Sequence, residues 1–167
     1  MECGTAMSEE AGQTALNAQE RALVEAAHGA MANAHAPYSR FAVGAALLLS
    51  DGTILTGSNF ENASYGLSLC AETVAIAAAN AQGRLRDIAA IAVTGGAMDD
   101  RMGSGEGSPV VTPCGRCRQI IKEAQDMSGR RLAILCAAPD DSAVLRLTLD
   151  ELLPHAFGPA NLGIGPT

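Results

Sequence analysis

The chain is short of aromatic side chains and of lysine. Tyrosine and phenylalanine make up 3% of its 167 residues, tryptophan is absent, and Lys122 is the one lysine. A core must therefore be packed from Ala, Val, Ile, Leu and Met, and each aromatic ring calls for its own explanation. Positive charge is scarce as well: 11 basic residues against 18 acidic ones give a net charge of −7. The arginines are scattered, with Arg130 and Arg131 the sole adjacent pair. Nothing here forms the basic stripe that binds nucleic acid or an anionic membrane surface. No apolar run approaches the roughly 20 residues of a membrane-spanning helix. Met1 to Ala11 lacks the basic end and apolar stretch of a secretory signal. The expected compartment is the cytoplasm.

What is present describes one globular domain. The length suits a single hydrophobic core, which at this size buries roughly 70% of the unfolded surface without staples. Apolar residues make up 48% of the chain and charged residues 17%, a folded composition. The five cysteines, Cys3, Cys70, Cys114, Cys117 and Cys136, are an odd number. In the cytoplasm they are read as ligands, nucleophiles or core residues before disulfides.

Residues 1–16 are expected to form a disordered leader and 17–160 the domain. Asn17 and Glu20 have capping-box spacing before an apolar stripe at Leu23, Ala27, Ala30 and Met31, so a helix is predicted to open there and to end before Pro37. Phe41 to Leu49 and Thr53 to Phe60 read as strands joined at Asp51-Gly52, a strong hairpin signal. A helix is predicted over Cys70 to Ala81, a buried strand over Asp87 to Thr94, and a long loop over Gly95 to Pro109. Gly115 to Met127 is predicted helical, Leu132 to Ala137 a strand with Cys136 in the core, and Leu149 to Leu153 a short helix. A hairpin followed by helix–strand–helix–strand is an α/β sandwich pattern.

The chemistry concentrates at two predicted helix starts. Cys70-Ala71-Glu72 opens one and Pro113-Cys114-Gly115-Arg116-Cys117 the other. A Cys-x-x-Cys pair at a helix N-terminus places two sulfurs within about one turn, close enough for one metal. Helix N-termini also favour the thiolate a metal binds. Taken singly, each piece has a plainer reading. The pair is equally a redox dithiol or half of a structural zinc site, Cys70 a small buried hydrophobe, and Glu72 a first-turn acid that suits the helix dipole. Together they give three ligands and an open position beside a carboxylate, the layout of a catalytic zinc.

With these residues in view, the sequence resembles the small homotetrameric cytidine deaminases. The matching runs are Ala36 to Leu47 (APYSRFAVGAAL), Asn59 to Glu72 (NFENASYGLSLCAE), Pro113 to Gln119 (PCGRCRQ) and Leu152 to Pro159 (LLPHAFGP). The resemblance implies a three-layer α/β/α sandwich with a mixed central sheet. It also implies one zinc ion per chain, held by Cys70, Cys114 and Cys117, with Glu72 as proton shuttle. By the same resemblance Asn59 and Glu61 address the ribose hydroxyls, Phe41 packs against the pyrimidine, and Ala71 contacts the substrate. Ala63, Tyr65 and Phe157 would approach a neighbouring subunit's site, making the active sites of the homotetramer shared. The implied reaction is hydrolytic deamination of cytidine and 2′-deoxycytidine, in pyrimidine salvage.

Two features depart from the common pattern of that family. Many three-cysteine members carry Arg directly after the catalytic Glu, donating to the ligand sulfurs. This chain has Thr73 there, with Arg116 and Arg118 as candidates to compensate. The glycine-rich stretch before Pro113 is also long. Two other readings compete: a deaminase of a cytosine-containing antibiotic such as blasticidin S, and a zinc-stabilised binding module without catalysis. The run Asn59-Phe60-Glu61-Asn62-Ala63-Ser64-Tyr65 favours a plain nucleoside. A polynucleotide substrate fits poorly with the acidic charge.

Overall fold

Asn17 opens the first helix as its spacing predicts. Its side chain accepts the Glu20 N–H at 3.0 Å, and the Glu20 carboxylate accepts the Asn17 N–H at 2.9 Å. Two otherwise orphaned donors are thereby satisfied. This helix, α1, spans Ala18–Met31 and buries Leu23, Val24, Ala27 and Ala30. The computed structural model describes residues 15–98 and 108–165. Cys3, the expected leader up to residue 14, and positions 99–107 of the expected loop lie outside the described residues.

The strands β1 (Phe41–Leu49) and β2 (Ile54–Ser58) pair antiparallel, with Leu48 opposite Ile54. Their turn uses Gly52 at φ +87°, a backbone conformation that other residues reach only with strain. Three further strands, β3 (Ile88–Ala97), β4 (Ala133–Ala137) and β5 (Val144–Leu147), complete the sheet among the described residues. The order is β2-β1-β3-β4-β5, with β3 and β4 parallel and the other pairs antiparallel. This mixed sheet is buried on both faces, so its strands read as nearly continuous apolar runs. Ala45, Leu47, Ile91, Val93, Ile134 and Cys136 face the helices α2 (Ala71–Ala81) and α3 (Gly115–Ser128). The alternate residues Ala46, Ala90, Ala92, Leu135 and Ala137 face α1. The expected α/β/α sandwich is the fold observed.

Two glycines set the layer spacing. A Cβ on Gly44 would overlap the Ala27 carbonyl of α1. One on Gly57 would lie 2.6 Å from the Ala71 carbonyl and 2.5 Å from the Ala75 nitrogen. Helix backbone therefore rests directly on strand backbone at both places. At Gly57 this contact seats the first turn of α2 on the sheet, which is where Cys70 and Glu72 belong.

The sequence expectation differs from the structure in three places. The strand predicted over Thr53 to Phe60 spans Ile54–Ser58, with Phe60 in isolated bridges to His35 and Leu69. The strand predicted to end at Thr94 continues to Ala97, which pairs with Phe41, so the loop does not begin at Gly95. Gly95 and Gly96 are there for space: a Cβ would lie 3.0 Å from the Phe41 ring at Gly95 and 3.0 Å from Pro139 at Gly96. The strand β5 went unpredicted. It has four residues, lies at the edge of the sheet, and follows the Asp140-Asp141-Ser142 turn, so its apolar pattern is too short to register. The short helix α4 (Leu149–Leu152) follows it, and at its start the Glu151 carboxylate accepts the Thr148 N–H and hydroxyl at 2.7 Å each.

Candidate active site

The two helices that begin with cysteine converge. Cys70 is the N-cap of α2 and Cys114 the N-cap of α3, both in extended conformation and neither bonding its own helix through the side chain. Their sulfurs meet in front of the two helix starts, where that of Cys117, buried in the first turn of α3, joins them. The three Sγ atoms lie within 4.8 Å of one another, and Cys70 and Cys114 are 3.8 Å apart. Zinc–sulfur bonds of about 2.3 Å in a tetrahedron place neighbouring sulfurs about 3.8 Å apart, so the donors present fit that ion. Three soft thiolates also favour zinc over magnesium or calcium.

Without metal, the hydrogen bond with Cys117 pulls the Cys70 thiol down to about 6. The same hydrogen bond, with burial second, pushes Cys117 well up. A metal binds thiolates, so loading the site expels protons. Thr73 places its hydroxyl oxygen 3.7 Å from the Cys117 sulfur, taking up part of the hydrogen bonding that an arginine would supply. Arg116 donates to the Ser68 carbonyl at 3.3 Å, and its positive charge favours the Cys70 thiolate. Arg118 is engaged elsewhere, on the carbonyls of Pro113 and Leu152 at 2.8 Å each.

Glu72 is 4% exposed, in the first turn of α2. Burial raises its pKa, against opposing hydrogen bonds from its own N–H and from Cys117. A carboxyl held above its usual range can carry a proton closer to neutral pH, as a general acid–base group must.

A cavity of about 260 Å³ opens onto this group. Cys70, Glu72 and Cys114 line it together with Asn59 and Glu61, which the sequence pattern singled out. Val43, Ser68, Leu69, Val111 and Thr112 line it too, and sequence reasoning did not assign them. Alternation along β1 offered one signal, because Val43 shares a face with Phe41. The Asn59 side chain donates to the Phe41 carbonyl at 2.9 Å and accepts the Val43 N–H at 2.9 Å. Part of its amide is thus spent on stitching down β1, leaving one N–H. One oxygen of Glu61 accepts the N–H groups of Tyr38 at 2.9 Å and Ser39 at 3.2 Å. The Ser39 hydroxyl and those amides hold the Glu61 carboxyl below its ordinary pKa. A carboxylate fixed in this way is well suited to accept a hydrogen bond from a hydroxyl group.

A model of the cytidine and deoxycytidylate deaminase zinc-binding region matches residues 17–129. The cytidine deaminase of Mycobacterium tuberculosis is 45% identical over 129 residues, covering 77% of this chain and 82% of that protein. That of Halalkalibacterium halodurans is 40% identical over 142 residues, covering 81% and 91%. A crystal structure of cytidine deaminase from Burkholderia pseudomallei aligns with a TM-score of 0.69 at 41% identity, over 82% of this chain and 98% of that one.

The chain belongs to the cytidine and deoxycytidylate deaminase family. That family binds zinc, and among the described residues Cys70, Cys114 and Cys117 are the group that could hold the ion. The remaining residues singled out from the deaminase resemblance lie outside the cavity wall. Phe41 is half-buried, on the Val43 face of β1. Ala71 is fully buried. Ala63 is exposed. Tyr65 is 74% exposed and meets Tyr38 edge to face, with ring centroids 5.6 Å apart. Phe157 is 60% exposed, and its carbonyl accepts the Gln119 side chain at 2.8 Å.

Proposed function

We propose that the chain is a zinc-dependent cytidine deaminase that converts cytidine and 2′-deoxycytidine to the uridine nucleosides and ammonia. One observation carries this reading: a single small cavity is lined by two of the three clustered thiols, a buried carboxyl of raised pKa, and an Asn-x-Glu pair. When bound, zinc supplies the Lewis acidity that makes water a nucleophile at neutral pH. Glu72 takes one proton of the water that attacks C4 and delivers it to N3 of the ring; it then takes the remaining hydroxyl proton from the tetrahedral C4 centre and passes it to the amine, so that the C4–N bond breaks and ammonia leaves. Glu61 accepts a hydrogen bond from a ribose hydroxyl, and the remaining N–H of Asn59 donates to the sugar. As in the family this chain resembles, Phe41 packs against the pyrimidine from behind the cavity wall, next to Val43, and Ala71 contacts the substrate.

The assembly proposed is a homotetramer with shared sites. Tyr38, Phe60, Tyr65, Leu67 and Leu69 form an exposed apolar rim next to the cavity, and Phe157 is exposed as well. In a chain with so few aromatic residues, four of the five rings facing outward argue for a surface that is covered in use. A neighbouring copy placing Ala63, Tyr65 and Phe157 against this rim would close the cavity to water. Among the described residues no helix is long and apolar enough to cross a membrane. Three ligand cysteines need a reducing compartment, which supports a cytoplasmic role in nucleoside salvage.

A spectrophotometric deamination assay tests the reading, with cytidine, 2′-deoxycytidine and blasticidin S offered in parallel. Turnover of the two plain nucleosides well above the antibiotic is expected. Preference for blasticidin S would replace the substrate, and inertness towards all three would leave a zinc-stabilised binding module.

A further inference from the structure

We propose that Arg118 is a positioning residue for the metal site, a clamp that fixes the chain entering Cys114 against the C-terminal segment. The proposal rests on the zinc reading of the three thiols. Arg118 follows Cys117 directly, and its side chain turns back along the start of α3. Nε donates to the Pro113 carbonyl at 2.8 Å, and Nη1 donates to the Leu152 carbonyl, at the end of α4, at 2.8 Å. Pro113 is the residue immediately before Cys114. It has no N–H, so its backbone can be held only through that carbonyl.

The two N-cap ligands need different support. Cys70 is entered from Leu69, which exchanges two backbone hydrogen bonds with Phe60 at 2.8 and 2.9 Å. Cys117 is buried within α3. Cys114 is exposed, and residues 108–113 ahead of it have no regular secondary structure. Arg118 supplies on that side what the Phe60–Leu69 pairing supplies on the other. A guanidinium is suited to the task, because its planar fork grips two acceptors in a fixed relation, whereas an ammonium is a point donor. None of the ion pairs among the described residues draws Arg118 away to a carboxylate. The C-terminal segment is itself anchored to α3. Gln119 donates to the Phe157 carbonyl, and Gly158 lies against the Lys122–Asp126 pair so closely that a Cβ would overlap it.

The test compares Arg118→Ala, Arg118→Lys and Gln119→Ala with the unaltered protein. Zinc affinity is read by competition with a chromophoric chelator, and site geometry by the absorption bands of the cobalt-substituted proteins. Outer-sphere partners of metal ligands typically change metal affinity by about 10–100-fold. Loss in that range is expected for Arg118→Ala, with altered cobalt bands, and a smaller loss of the same kind for Arg118→Lys. Gln119→Ala, which frees the same C-terminal segment without touching Pro113, is expected to bind zinc like the unaltered protein. Should Arg118→Ala fail to fold, Arg118→Lys carries the test. Unchanged zinc affinity and cobalt bands in the Arg118 variants would overturn the clamp. So would an equal loss in Gln119→Ala, which would assign the effect to general docking of the C-terminus. An unaltered protein that binds no zinc would instead defeat the metal reading itself.

Discussion

The starts of α1 and α4 differ in kind from the starts of α2 and α3. Asn17 and Glu20 open α1 with reciprocal side-chain bonds, and at the start of α4 the Glu151 carboxylate accepts both the N–H and the hydroxyl of Thr148. Cys70 and Cys114 occupy the same N-cap position on α2 and α3, yet their side chains bond nothing in their own helices. A capping box contributes stability locally, typically about 1 kcal/mol. A bare cysteine cap forgoes that contribution and presents a sulfur to whatever lies in front. The fold can tolerate two such ends because the helices are secured elsewhere, by buried Ala75, Ile76, Ile121 and Ala124 and by the close seat at Gly57. Helices that only build the fold are capped by their own chain, and the pair that builds the site is left to be completed by a metal.

Substitutions at the two kinds of helix start should therefore fail in different ways. The largest effect is expected from Cys114→Ala, which removes an exposed ligand from the three-sulfur group. Metal analysis of the purified variant should find the zinc gone, and its deaminase activity should go with it. Glu72→Gln comes next. Gln has nearly the same shape but cannot cycle a proton, so zinc and fold should persist while kcat falls by about 10²–10⁴-fold. A loss under tenfold would remove Glu72 from the proton-transfer role.

Glu61→Ala should weaken transition-state binding of cytidine by roughly 1–3 kcal/mol, as judged from kcat/KM. Free cytosine, which has no sugar, should barely respond. Equal losses on both substrates would dismiss the ribose contact. Asn59→Ala should behave less cleanly, because the same amide ties Phe41 and Val43 of β1. It should lower Tm as well as kcat/KM.

At the capped end, Asn17→Ala should cost about 1 kcal/mol in denaturant unfolding and leave zinc content and kinetics alone. The smallest effect expected lies in the hairpin turn, far from both. Hydrogen bonds from Thr53, followed by Arg84, hold the Asp51 carboxyl down at about 2. A carboxyl depressed below its unfolded value contributes stability above the unfolded pKa, and that contribution is lost as pH falls through the folded one. Tm of the parent protein should therefore decline between about pH 4 and pH 2 more steeply than Tm of Asp51→Asn.

The contrast between the helix starts was partly legible in the sequence. The Asn17/Glu20 spacing, the Asp51-Gly52 turn and the two cysteine-bearing helix starts all announce themselves through short-range rules, and the structure places each where those rules predict. Features that depend on contacts between distant segments were not legible. Gly95 and Gly96 have the composition of a loop, and only the nearness of Phe41 and Pro139 shows why they stand in a strand. The Thr148/Glu151 pair and the strand before it were too short to stand out. At the site, the thiols, Glu72, Asn59 and Glu61 were readable as a pattern. The hold of Tyr38 and Ser39 on Glu61 was not, because it runs through backbone N–H groups that carry no residue-type signature.

The most direct test of a metal-completed site between two bare helix starts is a titration. Zinc would be stripped from the purified protein with a chelator and returned stepwise, with cytidine turnover measured at each ratio of metal to chain. Activity should be absent at the start, rise linearly, and level off at about one zinc per chain, the number a single three-thiolate site can hold. Full turnover of cytidine by the stripped protein, or zinc-saturated protein that leaves cytidine untouched, would contradict it.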